Sequence, residues 1–344
     1  MRKPIALFLT DTHLTKENNK LVENIFEQAV EICYKKGIRR LISGGDSFTN
    51  RQGLTLNTLL SFRKTLNYLN SKGITLDAIS GNHDKQDLDD DNSYIDIFDT
   101  FDNFVVHRNS GGSIIGNVYF HFIPFFKKEK YTQILQESAS RVDKKFFNIL
   151  ITHAAINGVR NNDGSEVTDS LDVKAYSAFD KVLVGHYHNS CKLGSNIFYT
   201  GSAYQGNYGE NVADKGFHLI YDDGSHEFIP SKFPKYLKVI IDASDVTDAV
   251  NNFEIHKGSE DFVRFVFKGK QTDIDKINMS QFLAAGIDCK SESTEVNEAI
   301  ISAENDDFVE FDKSSIIENL VEYGTTNQFE DDKLEFGLEL LSKI

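Results

Sequence analysis

The chain has 344 residues, 40% of them hydrophobic, with Phe and Tyr abundant and Trp absent; that suffices for one large catalytic domain and a smaller appendage. No run approaches the ~20 apolar residues of a membrane helix, residues 5–9 are too short and too soon interrupted by Asp11 for a signal peptide, and Cys33, Cys191 and Cys289 are widely spaced without CxxC pairing. These features argue against a membrane span, a zinc ribbon and a disulfide framework, and a cytoplasmic protein with reduced thiols is expected. The formal net charge of −15 falls mainly on 288–344, with sixteen acidic and four basic residues, while 1–287 carry 36 and 33, so acidity does not exclude a nucleic-acid substrate.

Through the first two-thirds, short apolar runs alternate with helical patterns, the signature of βα units. Residues 5–9 predict a buried strand. A helix follows over 20–36, with Leu21, Ile25, Ala29 and Ile32 at helical spacing and Gly37 closing it. A strand at 40–42 leads to a helix near 56–69 that ends before Gly73. Residues 78–79, 147–151 and 181–184 predict further strands. The pattern changes near 230–238. Residues 237–241 and 262–267 then alternate as strands do, with a helix between 274 and 283, which makes a small α/β appendage. Residues 315–323 and 333–341 predict two amphipathic helices around the loop 324–327, a terminal helical hairpin.

The polar residues are informative because of where they sit. The strand ending at Leu9 runs into Asp11-Thr12-His13, and the strand at Ile42 into Gly44-Gly45-Asp46. Ile79 leads to Gly81-Asn82-His83-Asp84, Ile151 to Thr152-His153, and Val184 to Gly185-His186-Tyr187-His188. Five buried strands each deliver a metal-type ligand at the carboxyl end, where open α/β sheets build their sites. Carboxylate, imidazole and amide oxygen suit divalent Mn, Zn or Fe in open sites. DxH and HxH place two side chains on one face of an extended segment. Glycines before Asp46, Asn82 and His186 permit tight turns and close approach of substrate. A carboxylate bridging two ions could hold them ~3.5–4 Å apart, the spacing that clamps the attacking and leaving oxygens in phosphoryl transfer. Each motif alone has a bland explanation, such as a solvated turn or an Asn-rich cap. The five together, in order and each after a strand, do not.

DxH, GD, GNHD, a later His and GHxH resemble the calcineurin-like metallophosphoesterases, over about the first 210 residues. The resemblance implies an α/β four-layer sandwich, two facing mixed sheets flanked by helices. It implies that Asp11, His13 and His188 bind one divalent ion, that Asn82, His153 and His186 bind a second, and that Asp46 bridges them. His83 would be no ligand; it would protonate the leaving oxygen while a water activated by the ions attacks from the opposite side. Within that superfamily the chain most resembles SbcD-type nucleases, the phage recombination endonuclease subunit among them. Asp11-Thr12-His13-Leu14 matches their opening motif, and Tyr199-Thr200-Gly201-Ser202-Ala203-Tyr204 with Gly209-Glu210 resembles their loop after GHxH. Lys215-Gly216-Phe217 with Glu227-Phe228-Ile229-Pro230 resembles the strand pair that closes their catalytic domain.

That closer resemblance implies a DNA exonuclease or endonuclease acting in double-strand-break repair and recombination. Its parts would be a catalytic domain over 1–235, a capping and DNA-recognition domain over 236–310, and a helical segment over 311–344 that binds an SMC-like coiled-coil ATPase. It also allows a homodimer. Four imidazoles in the ligand set favour Mn²⁺ over Mg²⁺. Thr49 departs from the family, which often has Asp or His three residues after the bridging Asp; a neutral hydroxyl there would do less to fix the tautomer of His83. Two rival readings stand beside the nuclease. A small-molecule or cyclic-nucleotide phosphodiesterase would share the same site, whereas a non-catalytic scaffold would have lost ligands, and all seven are present. Basic clusters at Lys127-Lys128 with Lys130, Arg141 with Lys144-Lys145, and Lys232 with Lys235 are candidates to track phosphates, though each alone reads as a solvated face.

Overall fold

Residues 2–160, 165–210 and 214–294 are described by a computed structural model. The opening apolar run forms β1 (Pro4–Leu9), fully buried from Ala6 onward, and α1 (Asn19–Lys36) follows it. This helix buries Val22, Ile25, Phe26, Ala29, Val30 and Cys33, a single apolar stripe. It stops at Gly37, whose φ of 69° lets its N–H turn back to the last carbonyls. Next come β2 (Arg40–Ser43), α2 (Leu56–Ser71) and β3 (Thr75–Ala78), with the Thr55 hydroxyl capping α2 by accepting from the Thr58 N–H.

The chain continues through β4 (Phe104–Val106), β5 (Gly111–Ile115), β6 (Val118–Ile123), α3 (Lys128–Ser140) and β7 (Phe147–His153). It then forms β8 (Lys181–Gly185), β9 (Cys191–Leu193), β10 (Ile197–Tyr199) and the antiparallel pair β11 (Gly216–Tyr221) and β12 (His226–Pro230).

Two six-stranded mixed sheets result, ordered β12-β11-β1-β2-β3-β4 and β5-β6-β7-β8-β10-β9. In the first, β1 to β4 run parallel; in the second, β6, β7, β8 and β10 do. The sheets face each other across Phe8, Ile42, Phe120, Phe122, Ile149 and Leu183. On the outer side of the first sheet α1 and α2 complete a core with Leu7, Leu41, Phe62 and Leu66; on the outer side of the second, α3 does so with Tyr131, Leu150 and Val182. This is the expected four-layer sandwich. Strands covered on both faces have no solvent side, so they read as unbroken apolar runs instead of alternating ones.

A third, all-parallel sheet joins β13 (Tyr236–Asp242), β14 (Phe262–Gly269) and β15 (Asp288–Ser293). With α4 (Val246–His256), α5 (Gln271–Ile274) and α6 (Met279–Ala284) it has its own core around Ile241, Val263, Phe265, Phe267 and Phe282. The helix expected between 274 and 283 begins only at Met279, as α6; α5 ends at Ile274, and Asn278 takes φ −80° and ψ 85°, outside the helical region. The strand expected at 78–79 begins earlier in the sequence, at Thr75, and ends at Ala78. The helices expected over 315–323 and 333–341, and the segment 311–344, lie outside the described residues. No described helix is long and apolar enough to cross a membrane, and Cys33, Cys191 and Cys289 are free.

Candidate metal centre

Parallel neighbours end together, so β1, β2 and β3 of one sheet and β7 and β8 of the other bring their carboxyl ends to one edge. Asp11 and His13 follow β1, Asp46 follows β2, Asn82 and His83 follow β3, His153 ends β7, and His186 and His188 follow β8. The loops are held in unusual conformations. Among the described residues, positive φ outside glycine occurs at Asp11 (54°), His13 (42°), Asp46 (51°) and His186 (95°) and nowhere else. Each such residue costs on the order of 1–3 kcal/mol, and clustering of this strain marks a functional site. Crowding explains two of the glycines: a Cβ on Gly45 would lie 2.6 Å from His153 Nδ1, and one on Gly81 would collide with the Asp46 carboxylate.

The seven candidate ligands converge as two groups. Asp11, His13 and His188 offer donor atoms within 4.8 Å of one another, and so do Asp46, His153 and His186. In the first, His13 Nε2 and His188 Nε2 are 2.9 Å apart, and Asp11 Oδ1 is 3.9 and 3.8 Å from them. In the second, Asn82 Oδ1 is 2.9 Å from His186 Nδ1 and 3.2 Å from His153 Nε2. Asp46 lies between them. Its Oδ1 accepts from the His83 N–H at 2.8 Å, which leaves Oδ2 at 3.6 Å from His13 Nε2 and 3.2 Å from His153 Nε2.

The tautomers suit metal binding. His153 Nδ1 donates to the Gly44 carbonyl at 2.9 Å, and His188 Nδ1 donates to Glu210 Oε1 at 2.8 Å. Each bond fixes a proton on Nδ1 and points Nε2 inward, as outer partners of metal-bound histidines do. Burial opposes a charge on His153, yet the adjacent Asp46 outweighs it and pushes the imidazole up to about 9. Burial works against the Asp46 carboxylate as well, but His153 and His13 hold it well below the usual range. Burial and the neighbouring His153 push His186 down to about 4. The pocket is thus already arranged for cationic charge beside Asp46. Carboxylates, an amide oxygen and four imidazoles without thiolate fit two borderline divalent ions.

His83 stands apart from both groups, in the wall of the same cleft, its ring centroid 5.0 Å from that of His13. Its Nδ1 donates to the Thr49 backbone carbonyl at 2.7 Å. The expectation that Thr49 would weaken control of the His83 tautomer is therefore corrected: a main-chain oxygen exerts it, and the Thr49 hydroxyl instead donates to the His13 carbonyl at 2.8 Å.

Two residues of the site carried no assigned role in the sequence. Asp84, fully buried, accepts from the N–H groups of Ser47, Phe48 and Gly81 at 3.1, 2.9 and 2.9 Å, so one carboxylate ties the Asp46 loop to the Asn82 loop. Burial and the charge of Asp46 push it up to about 7 against those three donors. Glu210, also buried, holds His188 and lies 3.6 Å from the buried ammonium of Lys215. Both stood inside quoted motifs, GNHD and Gly209-Glu210, and a buried acid beside a ligand motif was the available signal. The basic cluster at Lys127, Lys128 and Lys130 is paired with Asp89, Asp169 and Asp91, so its charge is neutralised within the protein.

No family model matches the chain. It is 25% identical over 315 residues to the SbcD component of the nuclease SbcCD of Staphylococcus saprophyticus, covering 82% of each chain. It is 23% identical over 311 residues to "Exonuclease subunit 1" of Enterobacteria phage T4, covering 86% of this chain and 88% of that one. A dimetal phosphatase from Danio rerio is a much looser match, with a TM-score of 0.41 and 12% identity over 64% of this chain and 93% of that one. In its two mixed sheets flanked by helices and its two ligand clusters at the strand ends, the chain resembles the metal-dependent phosphoesterases, and along most of its length it is similar in sequence to an SbcD nuclease subunit and a phage exonuclease subunit.

Proposed function

We propose that this chain hydrolyses phosphodiester bonds of DNA at a centre of two divalent ions, preferably Mn²⁺. In the cytoplasm it would be the nuclease subunit of a complex with an SMC-like ATPase that processes double-strand breaks. The observation that carries the reading is the position of Asp46 Oδ2, between two separate ligand clusters. Asp11, His13 and His188 would hold one ion and Asn82, His153 and His186 the other, with the Asp46 carboxylate near enough to contribute to both. Bound there, the ions supply Lewis-acid stabilisation of the phosphoryl charge and an activated water. His83 would supply a proton as the imidazolium: Nδ1–H stays hydrogen-bonded to the Thr49 carbonyl, and Nε2–H passes its proton to the departing oxygen, leaving a neutral ring protonated on Nδ1. The names of the two relatives support a subunit acting on nucleic acid. Residues 1–235 are the catalytic domain, 236–310 a capping domain over the DNA, and 311–344 the segment that meets the ATPase.

Digestion of single-stranded, blunt and hairpin DNA by metal-stripped protein, with Mn²⁺ or Mg²⁺ added back and with or without the ATPase, tests this. Cleavage should vanish in EDTA and return better with Mn²⁺. Activity on bis-p-nitrophenyl phosphate with none on any DNA would favour a small-molecule phosphodiesterase instead. The outer carboxylate gives a separate check. Glu210→Gln removes the charge that orients His188, so affinity for one ion of the pair should fall by ~10–100-fold. Metal titration followed by calorimetry reads this, and two unchanged binding steps would rule out His188 as a ligand through Nε2.

A further inference from the structure

The cleft that contains the metal-type ligands extends beyond them. Its volume of about 750 Å³ runs on to the third sheet, where Tyr236 and Phe262 line the same space. These residues open β13 and β14 and are register partners. Their rings stack, with centroids 4.6 Å apart and planes 21° apart. Behind them Tyr208 meets Tyr236 edge-on at 4.9 Å, and the Arg264 guanidinium lies 4.0 Å over the Tyr208 ring. Gln205 fixes Tyr236 from the catalytic side, accepting from its N–H at 2.9 Å and donating to its carbonyl at 3.1 Å. A cross-strand aromatic pair helps any sheet. This one is unusual in its exposure: Phe262 is 45% exposed, while Phe265 and Phe267 of the same strand are wholly buried.

We propose that the Tyr236–Phe262 pair is a stacking platform for an unpaired nucleobase of the strand whose phosphate is cleaved. The proposal rests on the DNA phosphodiesterase reading and specifies what that site accepts. A substrate that spans the cleft presents its phosphodiester to the ligand cluster and another of its groups to the aromatic wall, because both line one space. In nucleic acid the flat group so presented is the base. Inside a duplex both faces of a base are already covered by its neighbours, so only an end or a splayed nucleotide can present a face to Phe262. Every base has such a face, so the platform favours single-stranded ends without preferring a sequence.

Full-length protein with Mn²⁺ should be given single strands that carry one abasic spacer, scanned along both sides of the cleaved bond. Base–aromatic stacking contributes about 1–3 kcal/mol, so kcat/KM of the native protein should fall about 5–150-fold with the spacer at one position. Phe262→Ala should cut the intact strand that much more slowly and be indifferent to the spacer, and Phe262→Trp should restore the spacer penalty. The exposure of Phe262 makes both variants compatible with the fold. An equal penalty in native protein and Phe262→Ala, or no penalty at any position in the native protein, overturns the platform and leaves the nuclease reading intact. Native protein that cuts no strand at all overturns both.

Discussion

Asp46→Ala should leave the protein folded but unable to retain its ions, and phosphodiesterase activity should fall by at least ~10³-fold. Two observations set the size of this effect. One Asp46 oxygen lies near donors of both clusters, at 3.6 Å from His13 Nε2 and 3.2 Å from His153 Nε2. Losing it weakens two sites in one step, and metal stabilisation of phosphoryl charge amounts to several kcal/mol, each ~1.4 kcal/mol being a factor of ten in rate. The other Asp46 oxygen has a structural task, accepting the His83 N–H at 2.8 Å. Asp46→Asn separates the two tasks. Its amide oxygen can still accept that bond, and Asn tolerates the φ of 51° at this position better than most residues, yet it brings no charge to the bridge. Both variants should therefore lose metal, with the loop better ordered in the Asn variant. Elemental analysis of dialysed protein reads the outcome. Two ions per chain in Asp46→Ala would remove the bridge from the mechanism.

The metal-type ligands were legible because each signal is local. An apolar run of a few residues followed by Asp, Asn or His is visible in a short window, and a parallel sheet then aligns such windows at one edge. DxH at 11–13 and HxH at 186–188 each deliver both of their residues to the site. The contributions of Asp84, Glu210 and Thr49 were hidden for a common reason. They act on partners distant in sequence: Asp84 on backbone N–H groups 36 and 37 residues away, Glu210 on a ring 22 residues away, and Thr49 through its main-chain carbonyl. A side-chain code carries no mark of a main-chain interaction, so the bond from His83 to the Thr49 carbonyl could not be read from the presence of Thr in place of Asp or His. The aromatic platform was hidden for a related reason. Phe262 reads as the first residue of a strand and Tyr236 as the residue just before one, and only the register between β13 and β14 brings the rings together.

His83→Ala should keep both ions and the fold while turnover on DNA drops by ~10²–10⁴-fold, the range expected for loss of a general acid. Retention of metal follows from the geometry: the His83 ring contributes to neither ligand group, and what Asp46 takes from residue 83 is its backbone N–H, which alanine retains. The choice of substrate makes the assignment specific. A DNA strand leaves as an alkoxide, which must gain a proton as the P–O bond breaks. The p-nitrophenolate of bis-p-nitrophenyl phosphate is a stable anion and departs without one. Proton donation by His83 therefore predicts a large loss on DNA and a much smaller loss on the nitrophenyl ester, measured on the same metal-loaded preparation. Equal losses on both substrates would make His83 a residue that positions the phosphate and would move proton donation to another group.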